Sequence, residues 1–269
     1  MKTGVVVLSW NSCEMNDQCL AGLLKHESHP VYVVDNGSTD GSPEELAKNY
    51  PGVTLICSPG NLGFAEGCNV GIRRALADGC DAIFLLNNDT IIDEGFLDGC
   101  IETFNKDERI GIVGPVIVEG YEPDAVQCSG GKLSLWNLDF PFRGRGKTYK
   151  RSDSYEVVDW VLGAGMMIKK EVFEKSGGLL DPEFYPAYVE EAEFCYRAKK
   201  AGYKSAICHG VRIRHIGRQS SGGYKNAFRR MMANRFLFGI KHLGVVKFFT
   251  AGSYILLRVL LEKIRGRWA

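Results

Sequence analysis

Four apolar residues, Ile83-Phe84-Leu85-Leu86, run straight into Asn87-Asn88-Asp89-Thr90. A strand buried on both faces reads as such an unbroken apolar run, and open α/β sheets gather their ligands at the carboxyl ends of their strands. Taken alone, a strand and a polar turn would explain the stretch. The pattern recurs, however, in Gly4-Val-Val-Val-Leu8 running into Ser9-Trp10-Asn11, and in Val31-Tyr-Val-Val34 running into Asp35-Asn36. The interval from Val5 to Val31 fits a βαβ crossover, whose parallel strands bring their carboxyl ends to one edge. The sequence therefore predicts an α/β fold in which Asn11, Asp35, Asp40 and Asp89 converge. Asn87, Asn88 and Asp89 offer hard oxygen ligands suited to Mg²⁺ or Mn²⁺.

Composition sets the remaining bounds. With 269 residues, 45% hydrophobic and 24% charged, the chain is long enough for one large α/β domain and an appended element. Its nine cysteines form no Cys-x-x-Cys pair, and several fall inside apolar patterns, which predicts reduced core thiols in a cytosolic protein. The apolar stretch Val5 to Leu8 is too short for a signal peptide, so secretion is not expected. Gly146-Lys147-Thr148 ends like a P-loop, but Pro141 stands where the upstream glycine is required. The first strand is followed by Ser9-Trp10-Asn11-Ser12-Cys13, which lacks the Gly-x-Gly-x-x-Gly of a dinucleotide-binding oxidoreductase.

Several linked motifs resemble those of family 2 glycosyltransferases of the GT-A fold, in the rhamnosyltransferase-like branch. They are Ser9-Trp10-Asn11, Val34-Asp35-Asn36-Gly37-Ser38-Thr39-Asp40, Asn61-Leu62-Gly63-Phe64-Ala65 with Cys68-Asn69, and Leu86-Asn87-Asn88-Asp89-Thr90. Gly163-Ala164-Gly165-Met166-Met167, Glu190-Glu191-Ala192-Glu193 and His215 continue the series, so the resemblance covers about four-fifths of the chain. It implies a mainly parallel central sheet flanked by helices, with a C-terminal helical extension. Residues 1–118 would form the nucleotide-sugar part, 119–218 the acceptor part of the same domain, and 219–269 basic amphipathic helices.

The resemblance also implies roles. Ser9, Asn11, Asp35, Asn36, Asp40, Asn61, Gly63, Asn69, Asn87 and Asn88 would contact a nucleotide-sugar donor. Asp89 and His215 would hold Mg²⁺ or Mn²⁺ on its diphosphate. Family members usually carry Asp-x-Asp where this chain has Asn87-Asn88-Asp89, so the first position is a neutral oxygen. Glu191 matches the catalytic base, usually Asp, which takes a proton from the acceptor hydroxyl, while Trp160, Gly163, Gly165 and Glu190 would line the acceptor site. Plainer readings stand beside these: Asp40 as an Asx turn capping a helix, His215 as a structural histidine, Glu193 as a surface pair with Arg197 four residues on. Asn69 to Ala77 is predicted as a helix, and Val118 to Trp160 as a loop-rich acceptor region with a flexible basic stretch around Phe142 to Thr148.

The overall net charge of +1 hides an asymmetry. From Lys199 to Ala269 the one carboxylate side chain is Glu262. A helix is predicted over Tyr224 to His242 and a second over Val245 to Arg267, basic and apolar enough to lie on an anionic membrane surface or to pack against the domain or a second copy. The run is too short and charged to span a bilayer. Nucleic-acid binding is not expected, for want of a docking module. The sequence thus predicts a cytoplasmic, peripheral enzyme with a glycan or lipid-linked acceptor and the option of a homodimer. A non-catalytic sugar-nucleotide-binding protein of the same fold is the alternative.

Overall fold

The computed structural model describes residues 1–26, 29–122, 124–217, 224–244, 252–254, 256, 257, 260 and 261. The chain begins with four strands separated by three helices: β1 (Thr3–Ser9), α1 (Cys13–His26), β2 (Val31–Asp35), α2 (Ser42–Asn49), β3 (Thr54–Cys57), α3 (Gly63–Ala77) and β4 (Ala82–Asn87). These strands pair in parallel, in the order β3-β2-β1-β4. Val5 and Val7 face one core while Val6 faces the other, and Phe84 and Leu86 likewise oppose Ile83 and Leu85. Two buried faces explain the unbroken apolar runs. Each such side chain contributes about 1.5–3 kcal/mol on burial.

The second half extends the same sheet. It comprises β5 (Thr90–Ile92), α4 (Phe96–Phe104), β6 (Ile110–Glu119), β7 (Val126–Cys128), β8 (Tyr155–Val158), β9 (Gly165–Lys169), α5 (Lys170–Lys175), a 3₁₀ turn at Pro182–Phe184, α6 (Glu190–Lys200), β10 (Lys204–His215) and α7 (Tyr224–His242). The full path is β3-β2-β1-β4-β9-β6-β10-β5, with β7 on β6 and β8 on β10. Strands β9 and β5 run against their neighbours, whereas β6 and β10 pair in parallel. Because β9 inserts between β4 and β6, residues on either side of position 118 share one sheet, and β9 begins where β4 ends.

Three local expectations change. Helix α3 opens at Gly63, six residues before Asn69, because Gly63 takes φ 77° and turns the chain directly into the helix. The basic stretch around Phe142 to Thr148 is an ordered hairpin, not a loose loop. Gly144 and Gly146 adopt φ of 71° and 75°, and backbone bonds such as Arg143 N to Gly130 O (2.8 Å) and Gly146 N to Val126 O (2.8 Å) pin it to residues 125–131. Helix α7 spans the predicted Tyr224–His242 but buries Phe228, Met232, Asn234, Arg235 and Phe238, so for this helix packing on the domain prevails over lying on a membrane. Most of the second predicted helix, including Phe248 and Phe249, lies outside the described residues; 252–254, 256, 257, 260 and 261 are helical. All nine cysteines are free, seven of them buried.

Candidate active site

The carboxyl ends of β1, β2 and β4 lie side by side. Ser9 is in register with Asp35, and Leu8 with Asn87, which sets the Asp35 and Asn87 tips about 10 Å apart across two strand spacings. Asp35 is buried. Its Oδ2 accepts the Ser38 amide (3.0 Å), while Oδ1 is buried without a hydrogen-bond partner. The surrounding amides are largely committed to holding loops. Asn11 Oδ1 accepts Thr39 N (2.8 Å), and Asn36 accepts Leu62 N while donating to Gly63 O and to Asn61 Oδ1. Asn61 Oδ1 also accepts Gly63 N, so this network shapes the entry to α3. Asp40 accepts both the amide and hydroxyl of Ser42, the Asx turn weighed for it from sequence, but the N-cap of α2 is Gly41 and no side chain caps the helix.

Beyond β4, Asp89 meets His215 at the end of β10. His215 Nε2 stands 3.2 Å from Asp89 Oδ1, and Ile216 N donates to the Asp89 carbonyl (2.9 Å). The other ring nitrogen, Nδ1, is 2.7 Å from Gln127 Oε1, and Gln127 Nε2 donates to Glu119 Oε2 (3.3 Å). An amide oxygen only accepts, so Nδ1 donates to Gln127 and Nε2 is the ring nitrogen that faces Asp89. Burial raises the Asp89 carboxyl, but His215 and the backbone amides of Asp89 and Gly217 outweigh it and hold it below its ordinary value.

These donors fit a divalent cation. Two ligands about 2.1 Å from Mg²⁺ at right angles lie roughly 3 Å apart, close to the observed 3.2 Å. Among the described residues no group of three His, Cys, Asp or Glu side chains could hold a metal. A two-ligand site is the kind that leaves positions for water and phosphate oxygens. Gln127, on the three-residue strand β7, escaped the sequence reading because nothing local marks it. Asn16 of α1 was likewise missed; its Oδ1 accepts from Asn88 Nδ2 (2.8 Å).

The third group enters from α6. Gly163 and Ala164 precede β9, and Asn87 N donates to Ala164 O (3.3 Å), which puts this turn beside the β4 tip. Glu191 packs here: a Cβ on Gly163 would sit 3.9 Å from Glu191 Cβ and 2.8 Å from the Phe64 ring. Burial pushes the Glu191 carboxyl up to about 7, against lowering by the backbone amides of Glu191 and Gly163. Glu190 is buried and raised well above the ordinary range, by burial and then by the Glu191 charge. One oxygen of each is buried without a hydrogen-bond partner, and because the Glu191 charge raises Glu190 the two titrations are linked. The residues before them, Tyr188 and Val189, take φ of 83° and 80°. Positive φ in a β-branched residue costs on the order of 1–3 kcal/mol and persists only where the surroundings enforce it.

Other predicted residues serve the scaffold. Trp160 is buried, lies against Gly131 and donates Nε1 to Lys132 O (3.1 Å), so its indole fills the core and offers no face to a sugar. Gly165 leaves space for Ile213 and Pro115 within the sheet. Asn69 uses its amide on Leu180 N and O, tying α3 to the loop before the 3₁₀ turn. Glu193 and Arg197 do pair (2.8 Å), but inside the protein: Glu193 also meets His242 of α7 (2.9 Å), and Arg197 donates to the carbonyls of Ser176 and Leu179.

The sheet, whose parallel strands β1, β2 and β4 offer polar tips to one edge, has the fold of the GT-A sugar transferases. Solved structures agree. GalNAc-T7 with UDP, GalNAc and Mn²⁺ superimposes with a TM-score of 0.68 at 17% identity, over 86% of this chain and about half (47%) of that one. The mannosyltransferase PcManGT of Pyrobaculum calidifontis, with GDP-Man and Mn²⁺, gives 0.63 at 16% identity over 94% of this chain and 69% of that one.

The family model of glycosyl transferase family 2 matches residues 4–177, and the chain belongs to that family. Similar curated proteins include the N-acetylglucosaminyl-diphospho-decaprenol L-rhamnosyltransferase of Mycobacterium tuberculosis, 26% identical over 81% of this chain and 77% of that protein. The dTDP-rhamnosyl transferase RfbF of Shigella flexneri is 28% identical over 80% and 69%.

Proposed function

We propose that this glycosyltransferase is inverting and metal-assisted, with Glu191 as its base. The observation that carries the reading is the Glu190–Glu191 pair beside the β4 tip, with the half-buried Glu191 carboxyl raised to about 7, where a base works best. Glu191 takes the proton of an acceptor hydroxyl as that oxygen attacks the anomeric carbon. The bond from that carbon to the diphosphate breaks, and the nucleotide diphosphate leaves with the electron pair. Asp35 Oδ1 binds the nucleotide, and Asp89 with His215 holds Mg²⁺ or Mn²⁺. When bound, the cation neutralises the charge growing on the diphosphate. The rhamnosyltransferase relatives favour dTDP-rhamnose as donor, with a UDP-hexose next, and a lipid-linked or cell-surface glycan as acceptor.

A membrane-surface location suits that acceptor. Leu256, Leu257, Leu260 and Leu261 are exposed on the described part of the tail, at spacings that form one helical stripe within the basic C-terminal quarter. Among the described residues no helix is long and apolar enough to cross a membrane. The competing reading, a non-catalytic sugar-nucleotide-binding protein, rests on Asn87 in place of an acid.

Thermal unfolding with UDP, dTDP and GDP, each with and without Mn²⁺, tests the site. A ligand bound only by the folded state at 100 times its Kd adds about 2.7 kcal/mol. One nucleotide should stabilise the protein, more so with Mn²⁺, and Asp89→Ala should remove the Mn²⁺-dependent part alone. No stabilisation by any of the three would defeat the proposal.

A further inference from the structure

We propose that Asn234, on α7, is a positioning residue for the Glu190–Glu191 pair, holding the backbone segment 184–188 that delivers the pair to the sheet edge. The inference rests on reading Glu191 as the base, and it adds a C-terminal helix beyond the family-model match to the catalytic apparatus.

Asn234 is 5% exposed, and its Nδ2 lies 3.0 Å from Phe184 O, 3.0 Å from Ala187 O and 2.9 Å from Tyr188 O. An amide nitrogen has two protons, so three carbonyls share them and close around one point. From the opposite side Pro186 O accepts Phe64 N at the start of α3 (2.7 Å). The segment is thereby strung between the donor-side helix and α7. Immediately after it come Tyr188 and Val189 in the left-handed region and then the two glutamates. An isolated loop would relax that backbone; here the carbonyl of Tyr188 is fastened to Asn234.

The rest of α7 brackets the pair. Upstream of it, Lys241 Nζ reaches Asp181 Oδ2 (2.5 Å) and Glu183 Oε1 (2.8 Å). Downstream, His242 Nε2 meets Glu193 Oε1 (2.9 Å), and Phe238 and His242 pack on Tyr196. Arg235 fixes the helix to Asp139 (2.9 Å) and Phe140. Contacts on both flanks fix where residues 189–191 sit. Asn234 is the member of this set whose hydrogen bonds end on the strained backbone itself.

The test uses the full chain with ¹³C-labelled glutamate carboxyls, comparing wild type, Asn234→Ala, Asn234→Ser and the packing control Phe238→Leu. Glu190→Gln and Glu191→Gln assign the signals. In Asn234→Ala the freed segment admits water, so the pair's apparent pKa falls by at least one unit and amide exchange at 189–191 quickens at least tenfold. Asn234→Ser, which keeps one donor, lies between. Phe238→Leu lowers the melting temperature but leaves the carboxyl titration and local exchange at wild-type values. Nucleotide-induced stabilisation stays within twofold in every variant, since the donor tips are untouched. A folded Asn234→Ala or Asn234→Ser with wild-type titration and exchange overturns the proposal. None of these readouts needs turnover: full activity in Glu191→Gln would remove the base assignment while leaving the Asn234 strut to stand or fall on its own data.

Discussion

Glu191 and Glu193 are two residues apart on one helix and have opposite fates. Glu193 pairs with Arg197 and meets His242, whereas the Glu191 carboxyl has backbone amides for company and Glu190 next to it. The charge-free Glu191→Gln should therefore abolish transfer, by about 10²–10⁴-fold for loss of a general base, with nucleotide binding unchanged. Its effect on stability has the opposite sign. A carboxyl raised in the folded state binds protons there that the unfolded chain has lost, so stability declines as pH rises from about 4.5 to about 7. Removing the charge recovers part of a penalty on the order of 3 kcal/mol at most. Urea unfolding at pH 8 should show Glu191→Gln more stable than wild type by roughly 1–3 kcal/mol, with the gain gone at pH 4. In the wild type, turnover should fall about tenfold per pH unit below 7. A flat rate from pH 5 to 8 would remove a carboxyl base from the mechanism. From sequence, Glu191 stood out by its place in the Glu190-Glu191-Ala192-Glu193 motif, while the burial of Glu193 was hidden: its second partner is on another helix.

Helix α3 shows what an element requires to sit on the sheet. Its Gly67 and Gly71 have no Cβ because Leu8, Val6 and Val34 of the strands occupy that space. Gly71→Val would push α3 off β1 and β2 and displace the Asn36–Asn61 network that follows from its position; overpacking of this kind costs about 1–3 kcal/mol. The measurable result is a lowered urea midpoint together with weaker nucleotide stabilisation. A variant with wild-type values for both would show that the helix is not what places the donor loops. Glycine in a helix interior was visible in the sequence, but only the register of α3 over Val6 explains it. Similarly, the ends of α7 were legible from its pattern, whereas its seat on the segment 181–188 depends on contacts 46 to 60 residues away in the chain.

Across the whole molecule, α7 packs on the domain and the tail beyond it touches it through Tyr254 on Trp136, while its leucine stripe stays exposed. Truncation after Gly244 should leave cooperative unfolding and nucleotide stabilisation intact while reducing sedimentation with anionic liposomes. Replacing Leu256, Leu257, Leu260 and Leu261 with serine should do the same. Equal partitioning of the truncated and full chains would assign the leucine stripe to contact between protein chains. Truncation before Tyr224 should instead yield an unstable protein, because Phe140, Phe184 and Tyr196 would lose the cover of α7.

Apolar runs, helical intervals and polar strand tips are local properties, set by the alternation of side chains along a few consecutive residues. For that reason the chain's order of residues already contained the α/β architecture and the edge that carries the tips of β1, β2 and β4. Which carboxylates are paired, which asparagines are spent on loops, that Gln127 orients His215 and that Trp160 is core were decided by packing between distant segments. Burial and hydrogen-bond partners are pairwise quantities, and a linear pattern carries no record of the second member of the pair.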